Sequence, residues 1–310
     1  MANVQDYIAT SYSAHEHAYD AYSSEGEKAA HAAAWLKPGT INHWRFERMY
    51  RLADPLLRTC PGANWLTVGD GRYGLDAQYL NARGARALAT DISDTLLAEA
   101  KSAGLIAGYK KENAESLSFG DGSFDFVLCK ESYHHFPRPM KALHEMLRVA
   151  RRGVIMIEPN DQVFVDGYVA TLSRMLKNGI KKMMGRSTHY HHFESGGNYV
   201  YAISRREMEK IALGMGLHTI AFKWINDYYL PGVEFEPAEA GNDLFRKVSR
   251  KISRFDLLCR LGISQPGLLA VVFFKEAPPE NVRVAHREQG FRVHDLPRNP
   301  YLDEMQVSNR

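Results

Sequence analysis

Cysteine is scarce: the 310-residue chain carries three, Cys60, Cys129 and Cys259. An odd number spaced this widely supplies neither a disulfide framework nor a clustered zinc site. A reducing cytoplasm is therefore the expected compartment. No run of 18 apolar residues occurs, so no segment is expected to span a membrane. The start, MANVQDYIATSYS, lacks both the basic residues and the apolar stretch of a signal peptide. Excess charge is missing as well. Lys and Arg number 39 against 36 Asp and Glu, a net +3, which is too balanced to predict nucleic-acid binding. Hydrophobic content of 45% fits a globular chain, and 310 residues suffice for one large core, or a core plus a modest cap.

What is present centres on residues 65–91. Trp65-Leu66-Thr67-Val68 reads as a buried strand that breaks into Gly69-Asp70-Gly71-Arg72-Tyr73-Gly74. A helix is expected from Leu75 to Ala82, closed by Gly84. Ala87–Thr90 forms a second strand ending in Asp91. Strand, glycine loop, helix, strand and acid make a nucleotide-binding half-unit. Glycines let backbone approach a ligand, and an acid at the next strand tip accepts hydrogen bonds from ribose hydroxyls. Gly69, Gly71 and Gly74 match the G-x-G-x-x-G of NAD enzymes literally, so the downstream sequence must choose between ligand classes.

The flanks add context. Residues 1–34 hold Tyr7, Tyr12, Tyr19 and Tyr22 with His15, His17 and His31. A surface role or a helical lid over a ligand both suit them. Residues 40–59 predict one helix, capped by Thr40 and kinked at Pro55, with Trp44, Met49, Leu52, Leu56 and Leu57 inward and Arg45, Arg48, Arg51 and Arg58 elsewhere. After Asp91, Ser93 or Asp94 caps a helix to Ser102, and Ile106–Tyr109 is a weak third strand leading to Asn113-Ala114-Glu115. Phe124–Cys129 is a strand running into Glu131, Tyr133, His134 and His135, where ligands collect in an open parallel sheet. A helix after Pro139 ends in Arg148, Arg151 and Arg152. Gly153 then turns into the strand Val154–Ile157, which ends at Glu158-Pro159.

These motifs, in this order, resemble the class I S-adenosylmethionine (SAM)-dependent methyltransferases, in particular the group acting on small molecules. The likeness covers about residues 64–160. It rests on Gly69–Gly74, Asp91, Asn113-Ala114-Glu115, Phe124-Asp125, His134-His135-Phe136, Leu147-Arg148-Val149 and Glu158-Pro159. The resemblance implies SAM as cofactor, with the loop Gly69-Asp70-Gly71 beneath its methionine part. Asp91 would then hold the ribose, Ile92 would touch adenine, and Asn113 and Ala114 would face the adenine edge. Lys130 or Glu131 would line the methionine end. His134 and His135 become the candidate general bases, since histidine titrates near neutrality, with Glu158 as second choice. Three departures stand out: Thr67 replaces a usual acid, the loop is one residue longer, and Ala150-Arg151-Arg152-Gly153 replaces a proline-glycine-glycine turn. A non-catalytic SAM-binding relative is one alternative. An NAD-dependent oxidoreductase is another, but it leaves Asn113–Glu115 and His134-His135 unexplained.

The expected architecture is α/β: a Rossmann-like seven-stranded sheet with an antiparallel last strand, helices on both faces, a helical N-terminal extension and an inserted cap. Residues 1–60 form the extension or lid, 61–160 and 199–276 the core, 161–198 the cap and 277–310 a loose tail. The tail is available to pack on a second copy in a homodimer. Within the cap, Arg174, Lys177, Lys181, Lys182 and Arg186 suit a solvated face, an anionic small-molecule acceptor or a membrane surface. His189, His191 and His192 suit plain loop positions, a pocket wall or an acid/base role; no Asp or Cys stands at helical spacing nearby, though Glu194 is close, and no metal is expected. Residues 241–262 predict a basic amphipathic helix, and Gly267–Lys275 a final strand.

Overall fold

The computed structural model describes residues 4–23, 26–162 and 198–301, with isolated positions between 171 and 193. Helices α1 (Val4–Asp20), α2 (Glu27–Trp35) and α3 (Ile41–Tyr50) precede the first strand. Thr40 caps α3 by accepting from His43 N. The single helix expected over 40–59 is instead three pieces: α3, a 3-10 turn at Arg51–Ala53, and α4 (Asp54–Thr59). Pro55 sits in the first turn of α4, where its missing N–H has no intrahelical partner to lose. Arg45, assigned to the polar side, is buried and ion-paired with Asp227.

The core then alternates strand and helix: β1 (Asn64–Val68), α5 (Leu75–Asn81), β2 (Arg86–Asp91), α6 (Thr95–Ser102), β3 (Tyr109–Lys111), β4 (Phe124–Lys130), α7 (Pro139–Val149) and β5 (Ala150–Pro159). It continues through α8 (Arg205–Gly214), β6 (Thr219–Ile225), α9 (Asp243–Arg260), β7 (Leu268–Phe274), α10 (Glu280–Glu288) and β8 (Arg292–Asp295). The strand order is β3-β2-β1-β4-β5-β7-β6-β8. β1 to β5 pair in parallel, while β7 runs antiparallel to both β5 and β6. β7, LLAVVFF, is buried along its whole length because strands flank it and both sheet faces are covered. One face packs α2 to α6 and α10 around Trp65, Leu80, Leu96 and Val282. The other packs α7 and α8 through Leu143, Met146, Leu147 and Met208.

Two expectations are corrected. Among the described residues the sheet has eight strands, not seven. The extra one comes from the segment assigned as a loose tail: α10 packs on α4, and β8 pairs antiparallel with β6. In α10 and the turn to β8, Val282, Ala285, His286 and Phe291 turn inward among a polar majority that hid the pattern. Second, β5 begins at Ala150, directly after α7, so Ala150–Gly153 is strand rather than turn. A Cβ on Gly153 would lie 2.5 Å from the Phe273 carbonyl oxygen, which explains glycine in that strand. The basic positions Arg174 to Arg186 and the histidines His189 to His192 lie outside the described residues, as does most of the 161–198 cap. No helix among the described residues is long and apolar enough to cross a membrane.

Candidate active site

Strand order reverses between β1 and β4, whose neighbours β2 and β5 lie on opposite sides. Such a reversal opens a crevice at the carboxyl ends of the strands. Gly69 leaves β1 with φ +77°, and the amides of Gly69 and Asp70 both donate to Thr90 O at 3.0 Å. Ser132, after β4, donates from its hydroxyl to Gly69 O at 2.8 Å. A Cβ on Gly69 would stand 2.3 Å from Ser132 Cβ, so glycine is required for the two loops to touch.

Gly71 N donates to Asp91 Oδ2 at 2.9 Å, and Ser93 N to Oδ1 at 3.0 Å. A Cβ at Gly71 would press on Asp91 Cγ at 2.8 Å. Burial pushes Asp91 up to about 6 against the pull of its backbone donors. Each carboxylate oxygen keeps acceptor capacity for a further donor. Asp91 borders a pocket of about 580 Å³ whose other walls include Val68, Gly69, Ile92, Asn113, Ala114 and Phe136. Helix α1 contributes Tyr12, His15 and Tyr19 to the same pocket.

A second pocket of about 340 Å³ shares Tyr19, Gly69 and Ser132 with the first. It is lined by Asp70, Arg72, Asp76, Lys130 and Glu131, with Phe46 and Tyr50 as aromatic walls. Lys130 Nζ lies 3.6 Å from Asp76 Oδ1 and 3.9 Å from Glu131 Oε2. Burial draws the Lys130 ammonium down, but Asp76 and Glu131 outweigh it and hold it above its ordinary value. Burial raises Glu131, and the cations Lys130 and Arg72 overcome that and leave it lowered. Asp70 also accepts from the Thr67 hydroxyl at 2.7 Å and from the amides of Asp76 and Ala77 at 3.1 and 3.0 Å. Its carboxylate thus caps α5. The acid missing at position 67 stands three residues on, tied to Thr67.

The histidines separate. His135 lines the first pocket, 5.3 Å ring to ring from His15. His134 does not line it. Its Nδ1 lies 2.7 Å from Glu158 Oε2, and its ring sits 3.9 Å from that of His135. Glu158 is fully buried and accepts from the amides of Ser132 and Tyr133, each at 3.0 Å. It holds the turn after β4 rather than facing a ligand.

Comparison with known proteins finds similarity over the first half of the sheet. Residues 66–157 match the model of a methyltransferase domain. That stretch, from β1 to β5, is similar to a methyltransferase domain. An uncharacterized protein of Mycobacterium tuberculosis is 40% identical over 92 residues, 28% of this chain and 32% of that protein. An uncharacterized methyltransferase of Bacillus subtilis, YcgJ, is 35% identical over 72 residues, 22% of this chain and 28% of that protein. The chain thus spans about a third of the length of such curated relatives. The solved structure of a SAM-dependent methyltransferase from Methanosarcina mazei covers 72% of this chain and 98% of its own, at 16% identity and TM-score 0.45.

The chemistry of the two pockets fits SAM, which joins a nucleoside to a zwitterionic amino acid. The first is mostly apolar and bordered by the Asp91 carboxylate; the second carries both signs of charge. Of the residues expected at the cofactor, Gly69, Asp91, Ile92, Asn113 and Ala114 line the first pocket, and Asp70, Lys130 and Glu131 the second. Gly71 acts by positioning Asp91. Sequence reasoning missed Asp76 and Ser132 as pocket walls, and offered Tyr19 only as one of four tyrosines in a possible lid. Arg72 was visible only as part of the longer loop. Its guanidinium stacks over Trp35, 5.0 Å from the ring centroid, a long-range contact that no local pattern announces. Among the described residues, no group of three His, Cys, Asp or Glu side chains is placed to hold a metal ion.

Proposed function

We propose that the protein is a SAM-dependent methyltransferase acting on a small-molecule acceptor. The observation that carries this reading is the buried Asp91 carboxylate in a largely apolar pocket that joins, through Gly69 and Ser132, a pocket lined by Arg72, Lys130, Glu131 and Asp76. Asp91 accepts from the ribose hydroxyls, Ile92 and Ala114 flank the adenine, and the charged pocket takes the amino-acid end. Bound SAM supplies an electrophilic methyl group on a sulfonium. The protein's share is alignment, which is worth about 7–11 kcal/mol when complete. Where the acceptor must lose a proton, His135 takes it at an imidazole nitrogen. His134 and Glu158 then act as positioning residues, fixing the turn that carries His135.

Helix α1 is the lid in this reading. Tyr12, His15 and Tyr19 close over the pocket and exclude water. Asp20 anchors the helix by accepting from the hydroxyls of Ser93 and Thr95, both at 2.7 Å. The free thiols Cys60, Cys129 and Cys259 support a cytoplasmic location. The tail as far as Asp295 packs on its own sheet, which removes the reason for expecting a homodimer. An anionic acceptor was suggested by the basic cap residues, which lie outside the described positions.

The test is transfer of labelled methyl from SAM into a low-molecular-weight extract of the source cells. Label in a discrete small molecule is expected. SAM binding without label in any small molecule would favour the non-catalytic relative instead.

A further inference from the structure

Helix α9 carries more charge than its place in the fold requires. Its buried side is small: Val248 and Ile252 pack with Ile41 and Val233. On the outer side, Lys247, Arg250, Arg254, Leu257 and Leu261 follow at steps of three and four residues, which places them on one stripe, and all five are exposed. Leu257 is 55% and Leu261 57% exposed, at the end of the helix, where no core contact accounts for them. Both acids of the helix are engaged elsewhere. Asp243 pairs with Arg246, and Asp256 accepts from Asn226 Nδ2 at 2.8 Å. The stripe from 247 to 261 is therefore cationic along its length and apolar at its end.

A second observation concerns the chain after β5. At Gln162 it lies beside the residues that follow α9: Gln162 Nε2 donates to Pro266 O at 2.8 Å, and Asn160 Nδ2 donates to the same oxygen at 3.0 Å. Pro266 follows α9 by a few residues. In that segment Leu172, Met175, Leu176, Met183 and Met184 are each at least 60% exposed. Large apolar side chains held in water mark an interaction surface. Basic stripes ending in leucine suit the interface of an anionic membrane, where cations meet headgroups and leucines enter the acyl boundary. A nucleic-acid partner would use the cations and leave the leucines without a role.

We propose that α9 docks the protein on an anionic lipid surface, with its C-terminal end inserted. α9 abuts the loop after β6, through Tyr228 against Phe255, at the edge of the sheet where the pockets open. Docking therefore brings that edge to the membrane. The proposal stands apart from the methyl-transfer reading.

Co-sedimentation of the full chain with vesicles tests it. Vesicles of phosphatidylcholine mixed with phosphatidylglycerol are expected to carry the protein down at low salt, and phosphatidylcholine alone to leave it in solution. The variant Lys247→Gln/Arg250→Gln/Arg254→Gln is expected to bind about a hundredfold more weakly, at roughly fivefold per cation lost. Leu257→Ser/Leu261→Ser is expected to weaken binding and to make what remains fully salt-sensitive. Equal binding to both vesicles, no binding, or undiminished binding by the triple variant overturns the proposal. So does triple-variant-sensitive binding to duplex DNA without vesicle binding. SAM titration of each variant shows that it is folded, and a vesicle failure with SAM binding intact leaves the proposed function standing.

Discussion

Asp91 concentrates the chemistry at the scale of single residues. Its native value of about 6 lies above the ordinary 3.8, because burial disfavours the charge. Its contribution to the stability of the ligand-free fold is therefore fully present below about 4 and lost as pH rises through about 6. In the proposed SAM complex the ribose hydroxyls would favour the ionised form, so binding is expected to run the opposite way. SAM affinity measured by calorimetry is expected to be flat above pH 6 and to fall about tenfold per unit below it. Asp91→Ala is expected to weaken SAM by about 2–4 kcal/mol, as for two lost charge-assisted bonds; an unchanged affinity would remove Asp91 from the ribose. The histidines divide by partner. His135→Ala is expected to keep SAM affinity and lose about 10²-fold in turnover. Glu158→Ala is expected to act on stability, lowering it by about 3 kcal/mol in denaturant titration, because two buried amides and His134 lose their acceptor. Equal turnover of His135→Ala and the parent protein would leave catalysis to alignment alone. That Asp91, Ile92 and Asn113 stand at one pocket was legible in the sequence because strand ends and turns are local. Which histidine faces the pocket was not, since it depends on Glu158, 24 residues beyond His134.

Elements show the same division between local and distant causes. The strand–loop–helix unit from β1 to β2 is encoded by glycine placement and apolar runs within some thirty residues. In the 40–59 stretch the interruption expected at Pro55 falls at Arg51–Ala53, with Pro55 in the first turn of α4, whereas the inward turn of Arg45 to reach Asp227 was hidden by their distance in sequence. β8 was hidden because an edge strand with intermediate burial shows no clean alternation. In the proposed reading α1 is the lid, and it is the element easiest to perturb. Asp20→Ala removes both of its anchors to the start of α6 and is expected to speed SAM release roughly tenfold, the loss of two partly exposed hydrogen bonds. Stopped-flow release measures this, and an unaltered rate would mean that α1 does not gate the pocket.

The sheet organises the whole molecule, and its parallel half was visible in the alternation of strand and helix. Its antiparallel half was visible only as far as β7. The last two elements change what truncation should do. Cutting after Lys275 removes α10 and β8, including the buried Val282 and Phe291. Each such side chain is worth about 1.5–3 kcal/mol. The shortened chain is expected to melt well below the full one, whereas a dispensable tail would leave the melting temperature unchanged. The most direct measurement of the central proposal is calorimetric titration of the full chain with SAM and, separately, with NAD. Saturable one-to-one binding of SAM, with no heat from NAD, is expected. Tight NAD binding with no heat from SAM would contradict it.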